Sequence, residues 1–243
     1  MSGQRIHLSV VESTNSYTTR LLSQSDIPEW TVITTDHQTA GKGQRGRSWE
    51  GDPGLNIMAS IVLRPRISVS QQYLISMAVS VAICDVLADF HIHAHVKWPN
   101  DILIEERKIC GMLIENQLKG DQVETCVVGI GLNVNQRTFS DFDWEGTSMA
   151  LELGRIIDRE EVLHRLIEAI KVRVTQMQQS DQLEFDFKER LFGVGKKILF
   201  QGQNDLFEAE VVGVESDGRL ILSKDGEEMK FLNGEIKLRR TSS

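Results

Sequence analysis

Three cations and three glycines share seven residues, Gly41-Lys42-Gly43-Gln44-Arg45-Gly46-Arg47, in a chain whose formal net charge is −8. Glycines let backbone N–H groups approach an anion closely, so the chemistry this stretch suits is phosphate binding. It matches G-x-G-x-x-G literally. A dinucleotide-binding turn also needs a helix starting inside the motif and an acid about 20 residues on. Here Arg47-Ser48-Trp49-Glu50-Gly51-Asp52-Pro53-Gly54 cannot form that helix, and Arg64-Pro65-Arg66 carries no acid. The Gly-Lys-Ser/Thr ending of a P-loop is also absent. Trp49 could stack on a nucleobase; a solvated basic loop with Trp49 folded beneath it fits the same residues.

Two more places concentrate chemistry. Lys97-Trp98-Pro99-Asn100-Asp101 lies between apolar, β-branched stretches. Proline donates nothing to a sheet ladder, so Pro99 marks a bulge or strand end that displays Lys, Asn and Asp together. That is either a reaction platform or a capped turn with a core tryptophan. Lys108 then opens an apolar strand containing Gly111, and Gly129 and Gly131 thin a further strand ending at Asn133. Glycines so placed mark an element that something approaches closely.

The elements that must position these groups read as follows. Strands are expected at 6–11, 31–35, 55–63, 94–98, 102–105, 109–115 and 125–133. Ser13 or Thr14 can cap a helix running to about Ser23. Apolar spacing predicts helices over 70–90 and 160–177. The stretch 36–54 is a long loop, of the kind that is usually functional or disordered; proteolysis with and without ligand would report on its order. After Gly193 come short strands with Asp217-Gly218 and Asp225-Gly226 as hairpin turns. The expectation is an α+β chain with mostly antiparallel strands, divided into residues 1–190 and a small barrel, 191–243.

Composition narrows the class. Apolar residues at 40% and charged residues at 26% describe an ordinary globular chain. The acidic balance argues against a general nucleic-acid or membrane-surface binder. Cys84, Cys110 and Cys126 lack metal-ligand spacing and read as reduced, partly buried thiols. His91, His93 and His95 alternate, but no acid or cysteine completes a zinc set, and a solvated turn is the plainer reading. Met1 to His7 has no signal-peptide character, and the apolar stretch Tyr73 to Phe90 is interrupted by Ser76, Ser80 and Asp85. A cytoplasmic protein without a structural metal is expected.

Taken together and in order, Ser13-Thr14-Asn15, Gln38 with the loop 41–47, Trp49, Lys97 to Asp101, Lys108 with Gly111, Gly129 to Asn133 and Gly234 to Arg239 resemble the biotin–protein ligases. The resemblance covers nearly the whole chain. It implies a mixed-sheet catalytic domain of the biotin/lipoate ligase type followed by an SH3-like barrel. It also implies a two-step reaction: biotin and MgATP give biotinyl-5'-AMP, and a carrier lysine then takes the biotin. By that resemblance Ser13, Thr14, Asn15, Gln38, Lys42, Gly43, Gln44, Lys108 and Gly111 bind biotin. Lys42, Arg45, Arg47, Trp49, Lys97, Asn100, Asn133 and Arg239 hold ATP or the adenylate. Lys108, Asp101 and Arg47 serve the chemistry, with Asp101 orienting an acceptor amine that is almost wholly protonated at pH 7. The implied partner is a biotin carboxyl carrier protein or domain, such as that of acetyl-CoA carboxylase, and a homodimer is left open.

Lys42 and Gln44 depart from the arginines usual in the family, so Lys42, Arg45 or Arg47 is expected to carry more of the phosphate contact. A lipoate or octanoate enzyme and a non-catalytic biotin-binding module remain as rivals. A DNA-binding regulator is rejected, because the first strand at residue 6 leaves no room for an N-terminal helix-turn-helix.

Overall fold

The computed structural model describes residues 3–140, 144–203 and 205–239. Arg5–Val11 (β1) leads into helix α1, Thr14–Gln24, whose cap is Ser13: its hydroxyl faces Ser16 N at 3.5 Å. Next come β2 (Val32–Gln38), β3 (Ile57–Leu63) and the short β4 (Ile67–Ser68). Helix α2 (Tyr73–Asp89) precedes β5 (His95–Lys97), β6 (Asp101–Ile104), β7 (Arg107–Lys119) and β8 (Gln122–Leu132). Helices α3 (Met149–Leu153), α4 (Arg159–Thr175) and α5 (Ser180–Arg190) follow. The main sheet has the order β1-β2-β3-β8-β7-β6-β5, with β4 on β8. All its pairings are antiparallel except β1 with β2, which α1 connects as a crossover.

Helix α2 packs between the sheet and helices α4 and α5. Twelve of its residues, including Leu74, Met77, Val81 and Leu87, are buried, which explains why it is apolar nearly all round. By length and composition the segment Val69–Asp89 could span a membrane; here its apolar surface goes into the core. One buried-edge ion network secures the layer, with Arg173 on Asp85 (2.7 Å) and Asp186 (2.5 Å), and Arg190 on Asp85 (2.7 Å).

The C-terminal part is a five-stranded antiparallel sheet of order β12-β11-β10-β9-β13, the SH3-like barrel. Its strands are β9 (Lys197–Gln201), β10 (Leu206–Val214), β11 (Leu220–Lys224), β12 (Glu227–Phe231) and β13 (Lys237–Leu238). Phe200, Phe207 and Phe231 stack through its interior.

The structure changes several expectations. Strand β2 runs on to Gln38, because Val10 and Val11 of β1 continue the ladder opposite His37 and Gln38; the loop is therefore shorter than 36–54. Helix α5 is an addition: its charged sequence buries only Leu183 and Phe187, one turn apart. All three cysteines are fully buried rather than partly so, and burial pushes the Cys84 thiol up to about 12. His91, His93 and His95 are exposed, and among the described residues no cluster of His, Cys, Asp or Glu could hold a metal.

Candidate active site

A cavity of about 930 Å³ opens on the sheet face opposite α2, between the glycine loop and the barrel. Its floor follows from register. Lys97 pairs with Asp101, Asp101 with Gly111, and Gly111 with Gly131, so four strands contribute one straight row. Asp101 receives Lys97 Nζ on one oxygen (2.7 Å) and Lys108 Nζ on the other (2.6 Å). Lys97 and Asp101 are only 9% and 7% exposed. Burial disfavours the Asp101 carboxylate, but the ammonium groups of Lys97 and Lys108 outweigh it and hold its carboxyl below the ordinary range. Each lysine also lies over an indole, Lys97 over Trp144 (5.1 Å) and Lys108 over Trp49 (5.5 Å). Asn100 fixes the strand end: its side-chain amide donates to Met112 O (2.7 Å) and its backbone carbonyl accepts from Met112 N (2.9 Å).

Glycine in this row is a requirement of space. A Cβ on Gly131 would stand 2.2 Å from Trp49 Cε2, and one on Gly111 would stand 3.0 Å from Trp49 Cζ3. The Trp49 ring therefore lies close against the strands. Its indole N–H is buried and has no acceptor among the described residues.

Two residues along, a second row aligns Leu113, Gly129 and Ser60. Asn15 occupies the space above Gly129, its Oδ1 only 2.3 Å from where a Cβ would be. Its amide donates to Leu113 O (3.1 Å) and Glu115 Oε2 (2.8 Å), and its carbonyl accepts from Ser60 Oγ (2.6 Å). Beside it, Gln38 Oε1 accepts from both the backbone and hydroxyl of Thr14 (2.8 and 3.2 Å), which leaves the Gln38 NH₂ as the end toward Gly41. Ser13, Thr14, Asn15 and Gln38 thus form one polar corner of the cavity.

The loop closes over this floor. Gly43 N donates to Arg47 O (2.7 Å), and Trp49 N to Gly41 O (2.9 Å). Arg45 adopts a left-handed conformation at its tip (φ 56°) and reaches Asn233 O in the barrel. Lys42, Gly43, Gln44, Arg45 and Arg47 all line the cavity. At its other side Asn133 donates to Thr147 O (3.0 Å), tying down the segment that runs beside Lys108.

Every residue expected at the site lines this cavity except Arg239, whose guanidinium instead grips Gln201, itself a lining residue. Sequence reasoning passed over Ser60, Glu115, Trp144 and Asn233. Trp144 carried the only available signal, an isolated indole in a polar loop; the others are ordinary residues until the strands align.

The cavity thus sets a polar corner and a group of cations side by side. Residues 8–133 match the model of the "Biotin/lipoate A/B protein ligase family". The bifunctional ligase/repressor BirA of Bacillus spizizenii is 30% identical over 243 residues, covering 97% of this chain and 74% of its own. The biotin–[acetyl-CoA-carboxylase] ligase of Mycobacterium tuberculosis is 30% identical, covering 97% of this chain and 90% of its own. Among solved structures, the Aquifex aeolicus biotin protein ligase in complex with biotin and ATP superposes with a TM-score of 0.80 at 25% identity, covering 98% of this chain and 99% of that one. The chain belongs to the biotin/lipoate A/B protein ligase family, on its biotin–protein ligase side.

Proposed function

We propose that the protein joins biotin to the lysine of a biotin carboxyl carrier domain, such as that of acetyl-CoA carboxylase, through biotinyl-5'-AMP. The observation that carries this reading is Asp101 held between Lys97 and Lys108 on a floor roofed by a cationic glycine loop. Joining a carboxylate to a polyphosphate brings two anions together, and fixed cations in a sheltered cleft lower that barrier.

In the first step a biotin carboxylate oxygen attacks the α-phosphorus of MgATP. The bond to the β-phosphate oxygen breaks and pyrophosphate leaves. Lys108 faces the carboxylate and the α-phosphate, while Lys42 and Arg47 balance the leaving charge, with Gln44 and Gly43 at the junction. The ureido ring lies in the polar corner of Ser13, Thr14 and Gln38. Asn15 serves the same corner by position, because its amide is committed to the sheet. Adenosine lies against Trp49, Trp144 and Asn133, and Asn100 and Arg239 brace the strand end and the barrel wall.

In the second step the carrier lysine, having given up its proton to solvent, attacks the acyl carbon as a neutral amine. The acyl–phosphate oxygen bond breaks, AMP leaves, and the proton released on amide formation also passes to solvent. Asp101 orients the incoming lysine. Its depressed carboxyl makes it a weak base, so orientation rather than proton abstraction is its role. Mg²⁺ arrives as part of MgATP. We further propose that residues 1–190 act as the catalytic unit and 191–243 as its barrel wall, in a cytoplasmic protein.

The test is pyrophosphate release and adenylate formation from MgATP with biotin, with lipoate and octanoate in parallel, followed by a chase onto a carrier-domain lysine. Biotin-dependent adenylate that transfers to the carrier supports the reading; turnover with lipoate or octanoate instead of biotin sinks it.

A further inference from the structure

Among the contacts that join the barrel to the rest of the fold, two differ in kind. The first is partly buried. Trp98 Nε1 donates to Gly218 O (2.9 Å), and the Tyr73 ring fills the space a side chain at 218 would need, 2.8 Å from a Cβ there. The second is exposed and made by the phosphate loop itself. Asn233 Nδ2 donates to Gln44 Oε1 (2.9 Å), while Arg45 Nη1 donates to Asn233 O (3.1 Å). One residue of the barrel therefore donates to one loop residue and accepts from its neighbour.

The turn around Asn233 is built for that contact. Glu235 closes it, its carboxylate accepting from Leu232 N (2.7 Å) and its own N–H donating to Leu232 O (3.1 Å). Gly234 sits at φ +93°, and a Cβ there would lie 0.9 Å from Arg45 Nη1, so the Arg45 guanidinium rests directly on bare backbone. Arg45 reaches it from a left-handed conformation, which a non-glycine residue holds only when its surroundings fix it. Gln44 is uncharged, and its side-chain oxygen meets the Asn233 amide as an acceptor.

We propose that Asn233 is a positioning residue for the phosphate loop. It docks Gln44 and Arg45 onto the barrel, and this sets Lys42 and Arg47 over the cavity. Loop order thus comes from the barrel before any nucleotide enters. The consequence for nucleotide binding rests on the ligase reading; the docking itself does not.

The experiment therefore reads the two separately, on the full chain. Hydrogen exchange of the peptide covering 41–49, without ligand, reports docking. Asn233→Ala removes one side-chain hydrogen bond worth about 1 kcal/mol, so exchange there is expected to quicken about fivefold. Gly234→Ala, which displaces Arg45, is expected to do the same or more. Leu232→Ser, at an exposed neighbour in the same turn, controls for damage to the turn, and exchange in β10 and β11 reports barrel integrity. Calorimetric binding of α,β-methylene-ATP in the presence of biotin reads the consequence, with Kd expected to rise about fivefold to tenfold in Asn233→Ala. Asn233→Asp, whose carboxylate can accept from the Gln44 NH₂ once that amide turns over, is expected to keep exchange slow, so that loss of docking tracks loss of a partner for Gln44. Unchanged loop exchange in both Asn233→Ala and Gly234→Ala overturns the docking. Faster exchange with unchanged nucleotide affinity overturns the positioning role. Failure of the parent to form biotinyl-adenylate would count against the ligase reading, while the exchange result would still decide the docking.

Discussion

On the floor of the cavity, Asp101 is 7% exposed and shares its charge with two lysines; on the roof, Arg45, Gly46, Arg47 and Ser48 are all exposed. The floor is held by strand register on four strands. The roof is held by a few backbone bonds and by Asn233. Buried charges in a low-dielectric setting interact strongly and cannot be removed singly without leaving a partner uncompensated. Exposed charges interact weakly and are screened. On the proposed function the two regions have separate roles, the sheet fixing where the reaction occurs and the loop adjusting how well the anion is held. Substitutions should discriminate sharply between them.

The largest effect is expected on the floor at Lys108. Lys108→Ala should lower the rate of adenylate formation by about 10²–10³-fold, the loss typical of a single well-placed electrostatic contact. Gly131→Val should approach it by another route, since the added atoms overlap the Trp49 indole and force it off the sheet. By contrast Gly46→Ala on the roof meets no atom within 4 Å and costs only the left-handed backbone, about 1 kcal/mol. Single-turnover pyrophosphate release compares all three. Equal losses for Gly131→Val and Gly46→Ala would break the contrast between floor and roof.

Asp101→Asn comes next. At pH 7 it leaves two ammonium groups facing a neutral amide, which should destabilise the fold by about 3–5 kcal/mol. Because the Asp101 carboxyl is held below its unfolded value, its contribution is fully present above about pH 4. It is lost as pH falls through the depressed folded value. The gap between parent and variant in urea unfolding should therefore hold above about pH 4 and narrow as pH falls from there toward the depressed folded value. A gap of constant size across that range would show that the ion pairs are not its source.

These expectations also mark what the sequence made legible. The glycine loop and the Lys97–Asp101 pentapeptide announce themselves, because Gly, Pro and clustered charge are rare inside ordinary strands. Lys97 and Asp101 meet because a hairpin turn lies between them, a relation that local spacing already contains. Non-local partners carry no such mark. Nothing along the chain distinguishes Ser60 or Glu115 from other strand residues until β3, β7 and β8 align them beneath Asn15. Asn233 lies 189 positions from Gln44 and reads as a plain turn residue. Helix α5 escaped for a different reason, since two buried positions in eleven residues give almost no periodic signal. The parallel pairing of β1 with β2 depends on where α1 packs, which strand patterns alone do not encode.

Asn15→Ala tests that hidden keystone and should fall in the middle of the range. It leaves the Ser60 hydroxyl and the Glu115 carboxylate without their partner, at a cost of about 1–3 kcal/mol. Biotin affinity should fall more than ATP affinity, because the disturbed corner is the one proposed for the ureido ring. Calorimetry with each ligand alone separates the two, and equal losses would move the ureido group elsewhere.

The smallest effect belongs to the roof, and it is the one that depends on salt. Lys42 is exposed and Arg47 lies at the loop's end, so each should act on the polyphosphate through water. At 0.15 M ionic strength the screening length is about 8 Å, which limits an exposed cation to modest attraction. Lys42→Ala or Arg47→Ala should each lower kcat/KM for MgATP about threefold to tenfold. The difference from the parent should shrink as salt is raised to about 0.5 M, whereas the Lys108→Ala deficit, arising in a half-buried site, should persist. If neither loop substitution altered adenylate formation, the phosphate contact would not lie with these cations. If both deficits survived high salt, the loop would be as sheltered as the floor, and the division of labour between them would fail.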